Sequence, residues 1–195
     1  METKGEVRIS PKYSRDDYHK LKLSPASDNT TWETAVNIFR DRINGRYLNQ
    51  IDLLSKDINA NGFTIMALNC LLIEAFYQFE NGLDETEKRQ NKEKYSSFLK
   101  KIDSVSFNNG TLAEDFYSYI RCGILHSAQT KAETRLSDRE GFVVAVEDGV
   151  LVISVKGFTD LVKKHFNNYS SMLLDGSDSI LRKNFVKKMK FVCRK

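Results

Sequence analysis

Both prolines of this chain, Pro11 and Pro25, lie before residue 30, so nothing of that kind interrupts a helix in the rest of the 195 residues. Proline removes a backbone donor and collides with the preceding turn; its absence favours an α-rich body. The apolar spacing agrees. Trp32, Val36, Phe39, Ile43, Tyr47, Ile51 and Leu54 recur at three- and four-residue steps, one face of a helix. A long first helix running to about residue 55 is predicted, bent near Gly45. The turn formers between Asp57 and Gly62 predict a break before a second helix over residues 63 to 81. There Ile65, Leu68, Leu72, Phe76 and Phe79 form a stripe that Met66, Ile73 and Tyr77 widen, so this helix is expected at the centre of a bundle. Asn81-Gly82 supplies its stop. A charged, solvated stretch over 84 to 95 and a shorter helix over 95 to 102 follow.

After Asn108-Asn-Gly110, a helix is expected from Thr111, with Glu114 completing a capping box and Leu112, Phe116, Ile120 and Ile124 facing inward. The period then changes. Residues 142 to 155 alternate as two short strands around Asp148-Gly149, which predicts a β-hairpin. A lone hairpin is marginal in water, so it must pack on a helix or pair with another strand, its edge covered by the terminal helices or a second copy. Two last helices are expected over 157 to 174 and 178 to 191. The fold class is therefore mainly α, a helical bundle with a C-terminal β-hairpin and two terminal helices. Residues 1 to 30 read as a loosely packed arm, 31 to 135 as the bundle, and 136 to 195 as hairpin and helices packed on it.

Charged residues at 29% and hydrophobic residues at 41% exclude disordered and fibrous classes. Cys70, Cys122 and Cys193 are odd in number and widely separated, which suggests neither a disulfide framework nor a metal site. The N-terminus has charges but no apolar run behind them, unlike a secretory leader. The apolar stretch before Glu74 falls short of the roughly 20 residues a bilayer span needs. A cytoplasmic protein without membrane attachment is the expectation.

The net charge of +4 is unevenly placed: residues 180 to 195 hold seven Lys or Arg and no acid, and elsewhere acids outnumber bases. Within this tail Leu181, Phe185, Met189 and Val192 recur at helical spacing, with Arg182, Lys183, Lys187, Lys190 and Arg194 on the other faces. Such a basic amphipathic helix can dock with a solvated outer face, contact a polyanion, or lie on an anionic membrane. RNA contact through Lys187, Lys190 and Arg194 is the functional expectation; membrane attachment is the weakest reading, because no lipidation motif accompanies it.

Chemistry concentrates in one place, Arg121 and His126 in the run Phe116-Tyr-Ser-Tyr-Ile-Arg-Cys-Gly-Ile-Leu-His126. Guanidinium presents a planar fork of donors to phosphate oxygens, and imidazole can take and give a proton near neutrality. Together they are the minimum for cutting RNA without a metal or cofactor. On an ideal helix five residues place the two about 140° apart; the length of arginine, a tight last turn, or a second copy of the helix across a two-fold axis would bring them together. Gly123 beside them allows close backbone approach. The alternative is structural, an arginine in an ion pair and a histidine capping a helix C-terminus.

The helix from Gly62 through Glu74, followed by the Arg121–His126 run, resembles the HEPN superfamily (higher eukaryotes and prokaryotes nucleotide-binding), whose signature is Arg, four to six residues, then His. The resemblance covers about residues 32 to 130. It implies a HEPN-like bundle, a homodimer through the motif helix, and a metal-independent endoribonuclease of phage defence, toxin-antitoxin or RNA-processing context. By position, Arg121 would hold the phosphate, His126 act on the 2′-hydroxyl, and Glu74 orient the arginine. Active members often carry Asn, Asp or His directly after the arginine, where this chain has Cys122. Other members bind nucleotides, RNA or a protein partner without catalysis, and that is the alternative function.

Overall fold

The computed structural model describes residues 7–87 and 90–194, which fold into a mainly α structure with one small sheet. The chain divides into two compact units. The first takes Met1–Gln50, Gln78–Glu85 and Asn167–Lys195; the second takes Ile51–Tyr77 and Thr86–Phe166.

In the first unit, α1 (Arg15–Lys20) starts at a capping box in which the Ser14 hydroxyl accepts from the Asp17 amide and the Asp17 carboxylate accepts from the Ser14 amide. Ile9, Tyr18 and Leu23 are buried around it and anchor the described part of the N-terminal arm, most of whose other residues are exposed. Helix α2 (Asn29–Ile43) is capped by Asp28, whose carboxylate accepts from the Thr31 amide at 2.7 Å. The bend expected near Gly45 is a widened π-helical turn over Asn44–Leu48. Pro11 packs against this turn: a Cβ on Gly45 would lie 2.4 Å from Cγ of Pro11, so only glycine fits there.

Aromatic rings fill this unit. Phe39 meets Phe79 at 4.7 Å and Phe185 at 5.4 Å between ring centroids, and Trp32 meets Phe185 at 5.7 Å. Phe185 belongs to α9 (Ser179–Val192), which Asp178 caps through the Leu181 amide. Leu181, Phe185 and Met189 are buried as the spacing predicts, but Arg182 and Lys188 turn inward as well. Arg182 lies 4.4 Å over the Trp32 ring and donates Nε to the Leu173 carbonyl at 2.9 Å; Lys188 donates Nζ to Oε1 of Gln78 at 2.7 Å. Periodicity sorts residues by polarity, whereas a long cationic side chain can bury its stem once its head finds carbonyls or a ring.

The second unit corrects the predicted break at 57 to 62. Helix α3 (Asn49–Leu54) passes through one 3₁₀ turn, Ser55–Asp57, into α4 (Ile58–Asn81). The turn formers are absorbed within it: Asp57 accepts from the Ala60 amide at 3.1 Å, and Asn61 donates Nδ2 to the carbonyls of Leu54 and Asp57. By length and composition the stretch Asn29–Asn81 contains a window apolar enough to cross a bilayer, half of it buried. Ile65, Met66, Cys70, Leu72, Ile73 and Phe76 are core residues. Helix α4 ends where Asn81-Gly82 predicts, with Gly82 at φ +61° and the Leu83 amide reaching back to Gln78.

Helix α5 (Asn91–Ile102) precedes α6 (Leu112–Asp115). The capping box expected at Thr111 does not form; the Thr111 hydroxyl donates instead to the Asp115 carboxylate at 2.6 Å. The hairpin pairs β2 (Val144–Glu147) with β3 (Val150–Ser154), antiparallel, through Asp148 and Gly149 at φ +49° and +79°, the left-handed pair a two-residue hairpin turn needs. A third strand, β1 (Thr134–Ser137), pairs parallel to β3, giving the order β1-β3-β2. Four residues without alternation gave no periodic signal for β1. All of β3 is buried, and α8 (Val155–Asp175) follows directly. Phe116 stacks on Phe158 at 4.7 Å, and Asn69 donates to Oγ1 of Thr159 at 2.8 Å in the same interior.

Candidate functional site

Helix α6 leads into a π-helical turn, Phe116–Arg121, and then α7 (Cys122–Ser127), so the expected single helix carries one wide turn before the motif. The Cys122 amide reaches back five residues to the Tyr117 carbonyl. Each residue in such a turn advances by less than in an α-helix, which swings Arg121 toward the face of Tyr117; its guanidinium carbon lies 5.5 Å from that ring's centroid. Wide turns of this kind are often found where a helix carries function.

The guanidinium faces two partners. Nη2 donates to Oε2 of Glu74 at 2.6 Å, and Nη1 lies 3.4 Å from Nε2 of His126. The ideal-helix separation is thus overcome within one chain, by the reach of arginine and the π turn. A guanidinium can only donate. The contact therefore favours His126 with Nε2 as acceptor and the ring proton on Nδ1, the tautomer in which Nε2 can receive a proton. Arg121 is 12% exposed at its side chain and Glu74 25%, while His126 is open to solvent. Burial lowers the Arg121 pKa, but the hydrogen bond and charge of Glu74 more than offset this, so it is raised and the group stays cationic.

Gly123 and the end of α7 hold this geometry. A Cβ on Gly123 would sit 2.5 Å from the Gln129 carbonyl oxygen, so only glycine lets residues 129 to 131 fold back along the helix. The Lys131 amide then donates to the Tyr119 carbonyl at 2.9 Å, and Ala128 takes the left-handed conformation at φ +52°.

The residue spacing did not single out Tyr117, though its position four before Arg121 was a signal available in the sequence. Burial, then the neighbouring Cys122 thiol, pushes its pKa up and keeps the phenol neutral. Cys122 itself is half-buried beside the pair. Behind Glu74 and Tyr117 lies a gap of only about 10 Å³ that Tyr77 and Tyr95 also line, space for little more than a water. Access is from the His126 side. A cleft of about 350 Å³ in the same unit is lined by Asp115, Tyr119 and Glu133, and neither Arg121 nor His126 borders it. Among the described residues no three His, Cys, Asp or Glu side chains come together as metal ligands.

Of the tail residues expected to touch RNA, Lys187 and Lys190 are exposed on α9. Arg194 is exposed too, but Nη2 donates to Asp84 at 2.6 Å and its guanidinium carbon lies 4.8 Å from the Phe191 ring centroid. These residues belong to the first unit and the Arg–His pair to the second. No protein-family model matches the chain, and neither a curated protein nor a solved structure matches it.

Proposed function

We propose that the chain is a metal-independent endoribonuclease of HEPN type, acting on single-stranded RNA as a homodimer. The observation that carries this is the exposed His126 ring held 3.4 Å from a partly buried, permanently charged Arg121. In the reaction, Nε2 of His126 takes the 2′-hydroxyl proton, the 2′-oxygen attacks phosphorus, and the bond to the 5′-oxygen breaks, leaving a 2′,3′-cyclic phosphate. The departing oxygen takes a proton from imidazolium, supplied by the same histidine or its counterpart in a second copy. Nη1 of Arg121 turns toward the non-bridging oxygens as charge builds on them, a stabilisation that is often the largest catalytic contribution. Glu74 fixes the guanidinium plane, so little reorganisation is needed. Leu71 on the helix of Glu74 and Leu125 beside His126 are 42% and 41% exposed, apolar surface that a second copy would cover.

Single-stranded RNA incubated in EDTA with wild-type and His126→Ala protein tests this. Wild-type protein should release fragments ending in cyclic phosphate, and the variant should lose at least about 100-fold in rate while melting at the same temperature. Equal cleavage by both would exclude the mechanism.

The second reading, a non-catalytic module binding nucleotides, RNA or a protein, is favoured by one observation: Glu74 already occupies one edge of the guanidinium. That reading expects no cleavage by either protein, with Arg121→Ala lowering stability alone.

A further inference from the structure

We propose that α9 and the segment after α1 form a groove for the sugar-phosphate backbone of a single-stranded nucleic acid, gripped by Lys22, Lys183, Lys187 and Lys190. The groove lies within the first unit and does not rest on the cleavage reading.

The cations of α9 and its C-terminal end sort into two sets. Arg182, Lys188 and Arg194 are committed within the fold, to carbonyls, to Gln78 and to Asp84. Lys183, Lys187 and Lys190 are exposed and, like Lys22, have no carboxylate within ion-pairing distance among the described residues. They line concave surface. A cleft of about 620 Å³ is bordered by Lys183, Lys187 and Lys190 with Pro25 and Val186. A second, of about 210 Å³, shares Lys190 and adds Lys22 and His19. Among the described residues no carboxylate lines either one. Lys22 is held at φ +46°, a left-handed conformation that lysine seldom takes.

Four like charges without a carboxylate partner among the described residues repel one another in adjoining clefts, and a ligand carrying several negative charges relieves that. The shape selects among polyanions. Lys183, Lys187 and Lys190 run about 10 Å along the helix, the length of about three phosphates at the roughly 3.4 Å axial spacing of a stacked strand. A bilayer surface is flat and fits a concave cleft poorly, while an extended strand can lie along it, with exposed Pro25 meeting its sugars.

Fluorescence anisotropy of the full chain with a short labelled single-stranded DNA tests the groove, because DNA lacks the 2′-hydroxyl and its binding is independent of cleavage. Replacing all four lysines with glutamine should weaken binding by about tenfold or more at low salt and make the log-affinity against log-salt slope shallower by about 2 to 3. A control replacing Lys12, Lys56, Lys101 and Lys164 removes the same charge elsewhere and should stay within about twofold. The pair Lys187→Glu and Lys190→Glu, checked for an unchanged melting temperature, should repeat the loss. Absence of DNA binding by wild-type protein, equal loss in the control, or a loss confined to phosphatidylserine vesicles would each overturn the groove.

Discussion

Arg121 donates to Glu74 at 2.6 Å from a position where its own Nε is buried without a partner. One carboxylate therefore carries most of the charge compensation for a guanidinium that is largely out of water. Deleting half of such a pair leaves the other half stranded. Glu74→Ala should cost about 2 to 4 kcal/mol, below the fully buried range because Glu74 is partly solvated, and lower the melting temperature by roughly 4 to 16 °C. Glu74→Gln keeps an acceptor and should cost about half as much. Thermal melts of the two variants check this; equal losses would mean that the carboxylate's charge carries the whole contribution and a neutral acceptor adds nothing.

Lysine cannot reproduce the fork that reaches Glu74 and His126 together. Arg121→Lys should therefore fold, with a stability loss of about 1 to 2 kcal/mol, and, under the proposed nuclease mechanism, lose at least about tenfold in RNA cleavage. Denaturant titration and a cleavage assay measured side by side decide it, since retained cleavage would show that a point charge is sufficient.

Gly123 has no room for a methyl group against the Gln129 carbonyl. Gly123→Ala should push residues 129 to 131 off the helix, break the Lys131–Tyr119 hydrogen bond and destabilise the second unit by about 1 to 3 kcal/mol. Amide exchange at Lys131 should accelerate well before global unfolding, and unchanged protection there would show that the loop gives way without cost.

Burial pushes the Cys70 thiol up to about 12 and Cys193 up to about 11. At pH 8 roughly one part in ten thousand of Cys70 is thiolate, so a disulfide reagent on native protein should label half-buried Cys122 and spare Cys70 and Cys193. Linkage sets the sign of the pH effect. These groups fold as neutral thiols with raised pKa values, so their contribution is complete below the unfolded pKa of about 8.5 and is lost as pH rises toward 12. Buried Tyr95 and Tyr169, also raised chiefly by burial, act in the same direction. Stability should fall steadily above pH 9; a flat stability profile between pH 9 and 11 would contradict these shifts.

Helix content, the hairpin turn at Asp148-Gly149 and the stop at Asn81-Gly82 were legible in the residues, because proline absence, periodicity and left-handed turn positions act over a few neighbours. The break expected at 57 to 62 was not real, since Asp57 and Asn61 satisfy a tight helical turn as readily as a loop. Strand β1 left no trace because its partner β3 is the far strand of the hairpin, and that parallel pairing is made only in the fold. For the candidate site, local order alone could name Arg121, His126 and Gly123 as neighbours and could not orient them. That orientation depends on a π turn, on a carboxylate 47 residues away in sequence, and on a returning loop that only a glycine admits. Likewise the basic tail was plain in composition, but which cations are consumed and which stay free was decided by tertiary packing, where Trp32, Gln78 and Asp84 meet Arg182, Lys188 and Arg194. Local rules fix what a residue prefers; only folding brings it the distant partner that decides whether its charge is spent or left available.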